Sequence, residues 1–378
     1  MTSLENARGV QDIGTPTALL ADRSVAVVHE WFSAAGGSEN VFLAIADLLP
    51  HARRYVLWAE PDVPAAELGL RESWLARTAL RRSKALALPV MPLAWRTLAN
   101  ESFDVVVSSS HAFAHTVRLG PPAHTRHLSY VHSPARYIWS PTVDGRGSNP
   151  LLGVPRRLLR TVDLRLSRHV HAYAANSLEV RDRIRRYWKR DAVVIHPPVD
   201  VDHFATAAGP EQSRDYLLGV GRWIPYKRFD LIIEIAEAAG LPLVIAGSGP
   251  EEARLRRAAA RVSVPVTFEV RPTRERLREL YQGALALLFP VHEDFGIIPV
   301  EAQAAGTPVI GLRSGGLLET VVDGETGFLV PSARPEEHAA AVRRVSEISA
   351  TRVREHARSF GRDRFAARMN EWVADECR

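Results

Sequence analysis

Short apolar runs alternate with longer amphipathic segments throughout the second half of the chain. The longer segments carry apolar residues at helical spacing among arginine and glutamate, as in RFDLIIEIAEAA, PEEARLRRAAARV and TRERLRELYQGA. Strands that alternate with helices at this pitch predict βαβ units, and therefore a parallel sheet with helices on both faces. The predicted strands are residues 216–221, 242–247, 265–270, 284–289, 308–312 and 327–330.

The first half repeats this alternation less regularly. SVAVVHEW (24–31) predicts a first strand, and Gly36-Gly37 opens the helix SENVFLAIADLL. HPPVDVDHF (196–204) has two prolines and no periodicity, so we place a domain boundary near Val199. The pattern predicts an α/β protein with two doubly wound domains in tandem, whose strand ends meet at a cleft. Further strands of the first half are predicted at residues 103–111, 125–133, 169–177 and 192–200.

The composition agrees with a globular protein of more than one domain. The chain has 378 residues, of which 46% are hydrophobic and 24% are charged. Its formal charge of +5 favours an anionic partner, although an arginine-rich chain carries such a surplus without one. The single cysteine, Cys377, excludes an internal disulfide framework and fits a reducing cytoplasm. We see no secretory signal pattern and no apolar run long enough to span a membrane.

Ligands of doubly wound sheets bind beyond the carboxyl ends of the strands, so the residues that follow each strand are the candidates. In the first half, Gly36-Gly37 would let the backbone approach an anion at a helix start, the alternative being a plain turn. His111 and His132 each stand where a strand gives way to a loop, and the alternative is that both are structural.

A dense polar and aromatic set follows His132. Arg136, Tyr137 and Trp139 are residues of the kind that bind sugars or phosphates, and we predict them, together with His111, as acceptor contacts.

In the second half, Arg222 and Lys227 lie five residues apart across a loop that follows a strand. Both cations could converge on one diphosphate, with a solvated charge pair as the alternative. Gly247-Ser248-Gly249 resembles half of a dinucleotide fingerprint, but Glu252 stands where the third glycine would be. The complete fingerprint that a Rossmann oxidoreductase needs is therefore missing.

Two glutamates flank an apolar segment in HEDFGIIPVEAQAAGTPVI (292–310). We predict that Gly296 starts a buried helix and that the N–H groups of Phe295 to Ile298, including that of Ile297, hold a phosphate. Glu301, about one turn into the helix, would accept hydrogen bonds from a ribose diol. Glu293, earlier in the loop, would reach the group beyond the diphosphate.

These residues resemble the retaining glycosyltransferases of family 4. The resemblance rests on Gly221-Arg222 with Lys227, on the Gly247-Ser248-Gly249-Pro250 turn, on residues 292–310 and on GGLLETVVDGETGFLV (315–330). It implies the GT-B fold, with a first Rossmann-like acceptor domain at 1–198 and a nucleotide-sugar donor domain at 199–358. SFGRDRFAARMNEWV (359–373) is similar to the family's last helix, so residues 359–378 would cross back onto the first domain.

The resemblance also implies roles for individual residues. Arg222 and Lys227 would bind the donor diphosphate, with Gly37 nearby, and Glu301 would bind the ribose. Glu293 would contact the hexose hydroxyls and His132 would sit at the reacting sugar. We therefore expect catalytic roles for His132, Glu293, Arg222 and Lys227, and donor contacts from Gly36, Gly37, Gly247, Val270, Arg271, Phe295, Gly296, Ile297 and Glu301. No metal or other cofactor is expected.

HEWFSAAGGSENV and YVHSPARYIWS look most like bacterial mannosyltransferases of polysaccharide and glycolipid assembly. GDP-mannose is thus the favoured donor and a glycan or lipid-linked glycan the expected acceptor. The alternatives are transfer from a UDP-sugar, or a GT-B epimerase or hydrolase that needs no acceptor. A non-catalytic sugar-nucleotide binder is disfavoured because the candidate positions are all filled.

Residues 71–99 mix tryptophans and leucines with arginines. They could lie on an anionic membrane surface, which would make the protein cytoplasmic and peripheral on the inner face of the membrane, or form an ordinary helical pair. Basic residues are not gathered with aromatic ones in a nucleic-acid module, so nucleic acid is not an expected partner.

Overall fold

The structure is a computed structural model that describes residues 20–140, apart from 21, 35 and 99, together with 153–206 and 214–378. It divides into two compact units. The first takes in the described residues up to Pro198 and also Asp363–Arg378, and the second is Val199–Arg362. One division therefore lies at the proline-rich stretch before Val199, and the other lies after Arg362 rather than after residue 358.

The described strands of the first unit form one parallel sheet of seven strands in the order β3-β2-β1-β4-β5-β6-β7. Alternate residues of its central strand face opposite sides, so Val25 and Val27 join one apolar core while Ala26 and Val28 join the other. Both faces are covered, as predicted for a doubly wound sheet. The strands are β1 Val25–Phe32, β2 Arg53–Ala59, β3 Leu70–Glu72, β4 Val105–Ser110, β5 Arg126–Val131, β6 Ala172–Ala175 and β7 Val193–Val194.

Helices of the first unit lie between these strands. Beyond β3 the chain forms short helical turns, not the helical pair that was one reading of residues 71–99. Met91 and Trp95 in this segment are fully buried. The helices are α1 Gly37–Leu48, α2 Lys84–Ala87, α3 Met91–Arg96, α4 Arg136–Trp139, α5 Gly153–Leu166 and α6 Leu178–Trp188, with 3₁₀ turns at Trp74–Arg77, Ala79–Arg82, Ala114–Thr116 and Ser167–His169.

The second unit contains a parallel sheet of six described strands in the order β10-β9-β8-β11-β12-β13. Each predicted strand of this half is present, with ends shifted by a residue at most, because strong apolar runs between helical segments mark fully buried parallel strands. Leu217 and Leu218 face opposite cores, which again shows two covered faces. The strands are β8 Tyr216–Arg222, β9 Leu243–Ser248, β10 Val266–Val270, β11 Ala284–Phe289, β12 Val309–Leu312 and β13 Gly327–Val330.

Helices of the second unit connect these strands in the predicted alternation. Gly240, in the left-handed conformation at φ +67°, ends α8 at the point where the helical pattern stops. The helices are α7 Val201–Ala205, α8 Phe229–Ala239, α9 Glu252–Ala259, α10 Arg274–Gly283, α11 Ile297–Ala304, α12 Leu317–Thr320, α13 Pro335–Val342 and α14 Ala350–Ala357, with 3₁₀ turns at Pro225–Lys227, Val345–Glu347 and Arg358–Phe360.

The last helix, α15 (Arg362–Cys377), packs into the first unit. Phe365, Met369 and Trp372 lie on one side of it at helical spacing and join the same core as Phe42 of α1. Among the described residues, none of the helices combines the length and apolar character needed to cross a bilayer.

Candidate active site

In the second unit, the sheet order changes direction between β8 and β11, so the loops after these two strands diverge and leave a crevice at their carboxyl ends. Arg222 ends β8 and Lys227 ends the 3₁₀ turn that follows. Glu293 lies in the loop after β11, and Gly296 precedes α11. Four of the predicted residues therefore meet at the position where doubly wound sheets bind ligands.

Lys227 and Glu293 form an ion pair across this crevice. Their side chains are only 11% and 18% exposed, and the Lys227 ammonium also lies 5.3 Å from the centre of the Phe289 ring. The two charges of this partly buried pair neutralise each other. An anion that reaches Lys227 must therefore compete with Glu293 for the ammonium group. Arg222 is exposed and its guanidinium donates a long hydrogen bond of 3.4 Å to the Tyr226 hydroxyl.

At the carboxyl ends of β8 and β9 the backbone takes conformations that only glycine adopts readily, and Gly221 and Gly247 occupy these positions. They are register partners, both have φ near +140° (+146° and +139°), and a Cβ on Gly247 would overlap the carbonyl oxygen of Gly221. Val270 pairs with Gly247 at the end of β10, and the Arg271 N–H donates to the Gly247 carbonyl at 2.8 Å. The structure thus places Gly247, Val270 and Arg271 side by side.

Gly296 adopts φ +92° at the start of α11, where the chain turns from the loop into the helix. Phe295 is 3% exposed and its ring packs 5.7 Å from that of Phe360, so its side chain anchors the loop. Ile297 is partly buried against the core. Any ligand contact of Phe295 would have to come from its backbone.

Gly315 and Gly316 shape this loop, although neither was predicted as a site residue. The Gly316 N–H donates to the Glu293 carbonyl at 2.8 Å. A Cβ on Gly315 would overlap that same oxygen, and one on Gly316 would overlap the backbone of Phe295. The sequence signal that could have identified them is the pair of adjacent glycines directly before the apolar start of a helix.

Glu301 lies in α11 beneath the crevice and accepts a hydrogen bond of 3.0 Å from the Tyr281 hydroxyl. Burial raises the pKa of its carboxyl to about 7, although the Tyr281 hydrogen bond and the charge of Arg274 act the other way. Arg274 is itself paired with Asp200 at 2.6 Å. Glu301 therefore changes charge near neutral pH.

In the first unit, three imidazoles gather at the carboxyl ends of β1, β4 and β5. His111 and His132 were predicted; His29, a polar residue within the fully buried strand β1, was missed. The ring centres of His29 lie 5.3 Å from His111 and 6.3 Å from His132, and those of His111 and His132 are 6.2 Å apart. Burial lowers the pKa of all three, that of His132 to about 3, so they are neutral at physiological pH.

Ser109 connects two of these rings. His29 Nδ1 lies 3.2 Å from the Ser109 carbonyl oxygen and 3.0 Å from its hydroxyl, and that hydroxyl lies 2.8 Å from His132 Nε2. A carbonyl only accepts, so His29 Nδ1 carries the proton and the Ser109 hydroxyl is left to donate to His132 Nε2. Neutral His132 then carries its proton on Nδ1.

The helix start at Gly36-Gly37 carries a carboxylate of its own. Gly36 precedes α1, and a Cβ there would overlap the carboxylate of Glu39, which is 5% exposed. Burial alone would raise the pKa of Glu39, but the electrostatic interaction with His29 and hydrogen bonds from Ser33 and Ser38 lower it overall. An anion at this helix start would face an ionised carboxylate.

The short helix α4 holds Arg136, Tyr137 and Trp139. The Trp139 indole donates to Asp163 at 2.6 Å and its ring stacks on Tyr187 at 4.8 Å, so Trp139 fixes this segment to the rest of the unit. Arg136 and Tyr137 remain partly exposed.

The described residues contain no group of three or more histidine, cysteine or carboxylate side chains arranged to hold a metal ion.

Two family models match the chain along nearly its whole length. Residues 35–203 match the model described as Glycosyltransferase Family 4, and residues 200–364 match Glycosyl transferases group 1. The chain carries both glycosyltransferase domains. The matches meet at the predicted domain boundary.

Curated proteins named as glycosyltransferases are similar to part of the chain. A D-inositol 3-phosphate glycosyltransferase of Streptomyces bingchenggensis is 32% identical over 241 residues, which is 54% of this chain and 52% of the relative. A protein of the same name from Mycobacteroides abscessus is 37% identical over 166 residues, which is 39% of this chain and 38% of the relative. The chain spans about half the length, or less, of the curated relatives it matches.

Solved structures confirm the predicted GT-B fold class. HepE of Anabaena in complex with UDP has a TM-score of 0.69 at 17% identity, covering 93% of this chain and 100% of that one. Sucrose-phosphate synthase of Thermosynechococcus elongatus has a TM-score of 0.67 at 18% identity, covering 93% and 99%. At such identity the likeness concerns the fold alone.

Proposed function

We propose that the protein is a retaining glycosyltransferase that moves a hexose from a nucleotide sugar to a polar acceptor. The observation that carries this proposal is the Lys227–Glu293 pair at the crevice between β8 and β11. It sets a cation for the diphosphate beside a carboxylate for the sugar hydroxyls, in a domain matched by a glycosyltransferase model.

The diphosphate is held by Arg222, Lys227 and the first N–H groups of α11. These groups carry positive charge or partial charge, and they stabilise the negative charge that develops as the bond to the sugar breaks. Glu301 accepts hydrogen bonds from the ribose, and Val270 and Arg271 lie by the base. The diphosphate contact of Gly36 and Gly37 stays a prediction; the carboxylate of Glu39 lies against Gly36.

Transfer with retention proceeds on one face of the sugar. The acceptor hydroxyl attacks the anomeric carbon as the carbon–oxygen bond to the diphosphate breaks, and the leaving diphosphate takes the hydroxyl proton. Glu293 orients the hexose. His132 donates a hydrogen bond to the reacting sugar, since its Nε2 is occupied by Ser109. Arg136 and Tyr137 contact the acceptor.

GDP-mannose is the proposed donor, on the sequence resemblance to bacterial mannosyltransferases. UDP-glucose is the first alternative donor to test beside GDP-mannose, because HepE has been solved with UDP-glucose. The proposed acceptor is a glycan or lipid-linked glycan. The names of the curated relatives favour D-inositol 3-phosphate as a second candidate.

A lipid-linked acceptor would bring the protein to an anionic membrane surface, and a patch of the first unit suits that role. Trp74, Leu86 and Leu93 are 39%, 67% and 57% exposed, and Arg77 and Arg82 nearby are exposed too. Flotation with vesicles containing an anionic lipid should carry the protein upward, and serine at positions 86 and 93 should abolish this. Equal flotation of both proteins would argue against the patch.

The function is tested by incubating the protein with radiolabelled GDP-mannose or UDP-glucose and each candidate acceptor. We expect labelled product with one donor, and loss of transfer in Lys227→Ala. Arg261→Ala, which removes an exposed arginine of the same unit, should leave transfer unchanged. Release of free sugar or an isomerised nucleotide without acceptor would instead indicate a hydrolase or an epimerase.

A further inference from the structure

The first unit contains a cavity of about 100 Å³ whose described lining includes none of the three histidines at the carboxyl ends of β1, β4 and β5. Val106 at the start of β4 and His127 at the start of β5 form part of its wall. His132, just beyond β5, lies five residues from His127, which is about 16 Å of extended chain. The cavity is therefore separate from the residues used in the proposed function.

The inner wall of the cavity is made by two buried imidazoles. His115 is 1% exposed and is fixed by Asp163, 3.0 Å from its Nε2, and by the Ser110 hydroxyl, 3.1 Å from its Nδ1. His127 is 6% exposed and its Nε2 lies 3.0 Å from the Ser108 hydroxyl. Both rings are held in place before any ligand arrives.

His127 keeps one nitrogen available. Its Nδ1 has no hydrogen-bond partner among the described residues, and the residue lines the cavity. Burial lowers the pKa of His127 to about 3, helped by the charges of His115 and His171. His127 is thus neutral and can offer a hydrogen bond rather than a charge.

The rim of the cavity supplies the charge. Arg96, Arg118 and His169 line it, and in the described part of the chain neither guanidinium has an ion pair or a side-chain hydrogen bond. The described lining contains no carboxylate. The buried acid beside His115, Asp163, is already held by that imidazole and by the indoles of Trp139 and Trp188. No carboxylate of the described lining balances Arg96 and Arg118, so an anion would complete the arrangement.

We propose that this cavity is a binding site for a phosphoryl group, either free phosphate or the end of a phosphomonoester. Two guanidiniums offer forked N–H donors that match the oxygens of a tetrahedral dianion. The cavity, of about 100 Å³, has room for a phosphoryl group. The site is distinct from the donor crevice and does not depend on the proposed function.

The test is titration of the full chain with inorganic phosphate and with glycerol 3-phosphate, followed by calorimetry. We expect saturable binding that weakens at least tenfold in the double variant Arg96→Gln/Arg118→Gln. Neither guanidinium has a side-chain partner in the described structure, so the variant should fold normally, which a melting curve checks. If the two probes bind equally, the site recognises the phosphoryl group alone. If glycerol 3-phosphate binds more tightly, the site recognises a phosphomonoester. Binding of neither overturns the proposal.

Two controls locate the binding. Arg77→Gln/Arg82→Gln removes the same charge from exposed arginines of the same unit and should bind phosphate as the wild type does. Lys227→Ala removes a cation from the donor crevice and should also leave phosphate binding unchanged. If the first control weakens binding as much as the cavity variant, the effect is one of net charge. If Lys227→Ala abolishes it, phosphate binds in the crevice. Either result overturns the cavity assignment.

Discussion

The hydroxyl of Ser109 lies 2.8 Å from Nε2 of His132 and selects one tautomer of that ring. His29 makes the selection possible, because its Nδ1–H is directed at the oxygens of Ser109 and leaves the serine proton for His132. The chain of hydrogen bonds fixes His132 as a donor through Nδ1, and so excludes a role as general base through Nε2 in this state.

Replacing Ser109 by alanine should release this tautomer. We expect the ¹⁵N spectrum of His132 to change from a single Nδ1–H form to a mixture, and the turnover number to fall about tenfold, the worth of one lost positioning hydrogen bond. The Michaelis constant for the donor should change little.

Ser129→Ala is the matched control. Ser129 is also a buried serine, on β5 beside Ser108 of β4, and its hydroxyl has no partner among the described residues. It should leave both the spectrum of His132 and the turnover number unchanged. An unaltered His132 spectrum in Ser109→Ala would show that the serine does not set the tautomer.

Whether a feature could be predicted from the sequence depended on how far apart along the chain its interacting residues lie. The strands of the second unit were predictable, and so was the position of Arg222, Lys227 and Glu293 at or after a strand end, since burial patterns and strand ends are visible locally. The role of His29 was not predictable, because it depends on a contact with Ser109, which lies 80 residues away along the chain. Glu39 was overlooked because the prediction rested on the glycine pair alone, and the contact of the Glu39 carboxylate with Gly36 is visible only in the structure.

Replacing Glu293 by glutamine should separate diphosphate binding from sugar transfer. The change frees Lys227 from its ion pair, so a nucleoside diphosphate should bind up to about fivefold more tightly, the worth of a partly exposed pair. Transfer should fall, because the glutamine orients the hexose hydroxyls less well. Calorimetry with GDP and UDP, together with the transfer assay, measures the two effects; weaker binding of both nucleotides would contradict the competition between Glu293 and the ligand.

Glycine at position 316 should be essential for the loop that carries Glu293. A Cβ there would overlap the backbone of Phe295, so Gly316→Ala should lower the free energy of unfolding by about 1–3 kcal/mol and reduce nucleotide-sugar affinity at least tenfold. Gly324→Ala is the control: Gly316 has an ordinary helical φ of −63°, so its substitution costs stability through the overlap, whereas Gly324 has a left-handed φ of +81° and nothing within 4 Å of the added methyl group. It should lose stability through backbone strain alone and keep its affinity.

The carboxyl of Glu301 should make donor binding depend on pH. Its pKa is raised to about 7 in the free protein, and a ribose diol that donates hydrogen bonds to the carboxylate would lower it. Binding then releases a proton below pH 7, so a nucleotide sugar, whose diphosphate diester does not titrate there, should bind about tenfold more weakly at pH 6 than at pH 8. Calorimetry at both values measures this.

The variant Glu301→Gln should bind the donor with an affinity that does not change over this range. The pH dependence of stability, compared between this variant and the wild type, independently checks the direction of the Glu301 pKa shift. Because the folded-state pKa of Glu301 is raised, the carboxyl favours the folded protein at low pH and loses that contribution as pH rises from about 4.5 to about 7. The melting temperature of the wild type should therefore fall relative to that of Glu301→Gln across this interval. Parallel curves for the two proteins would show that Glu301 titrates normally and would remove the basis for the pH-dependent affinity.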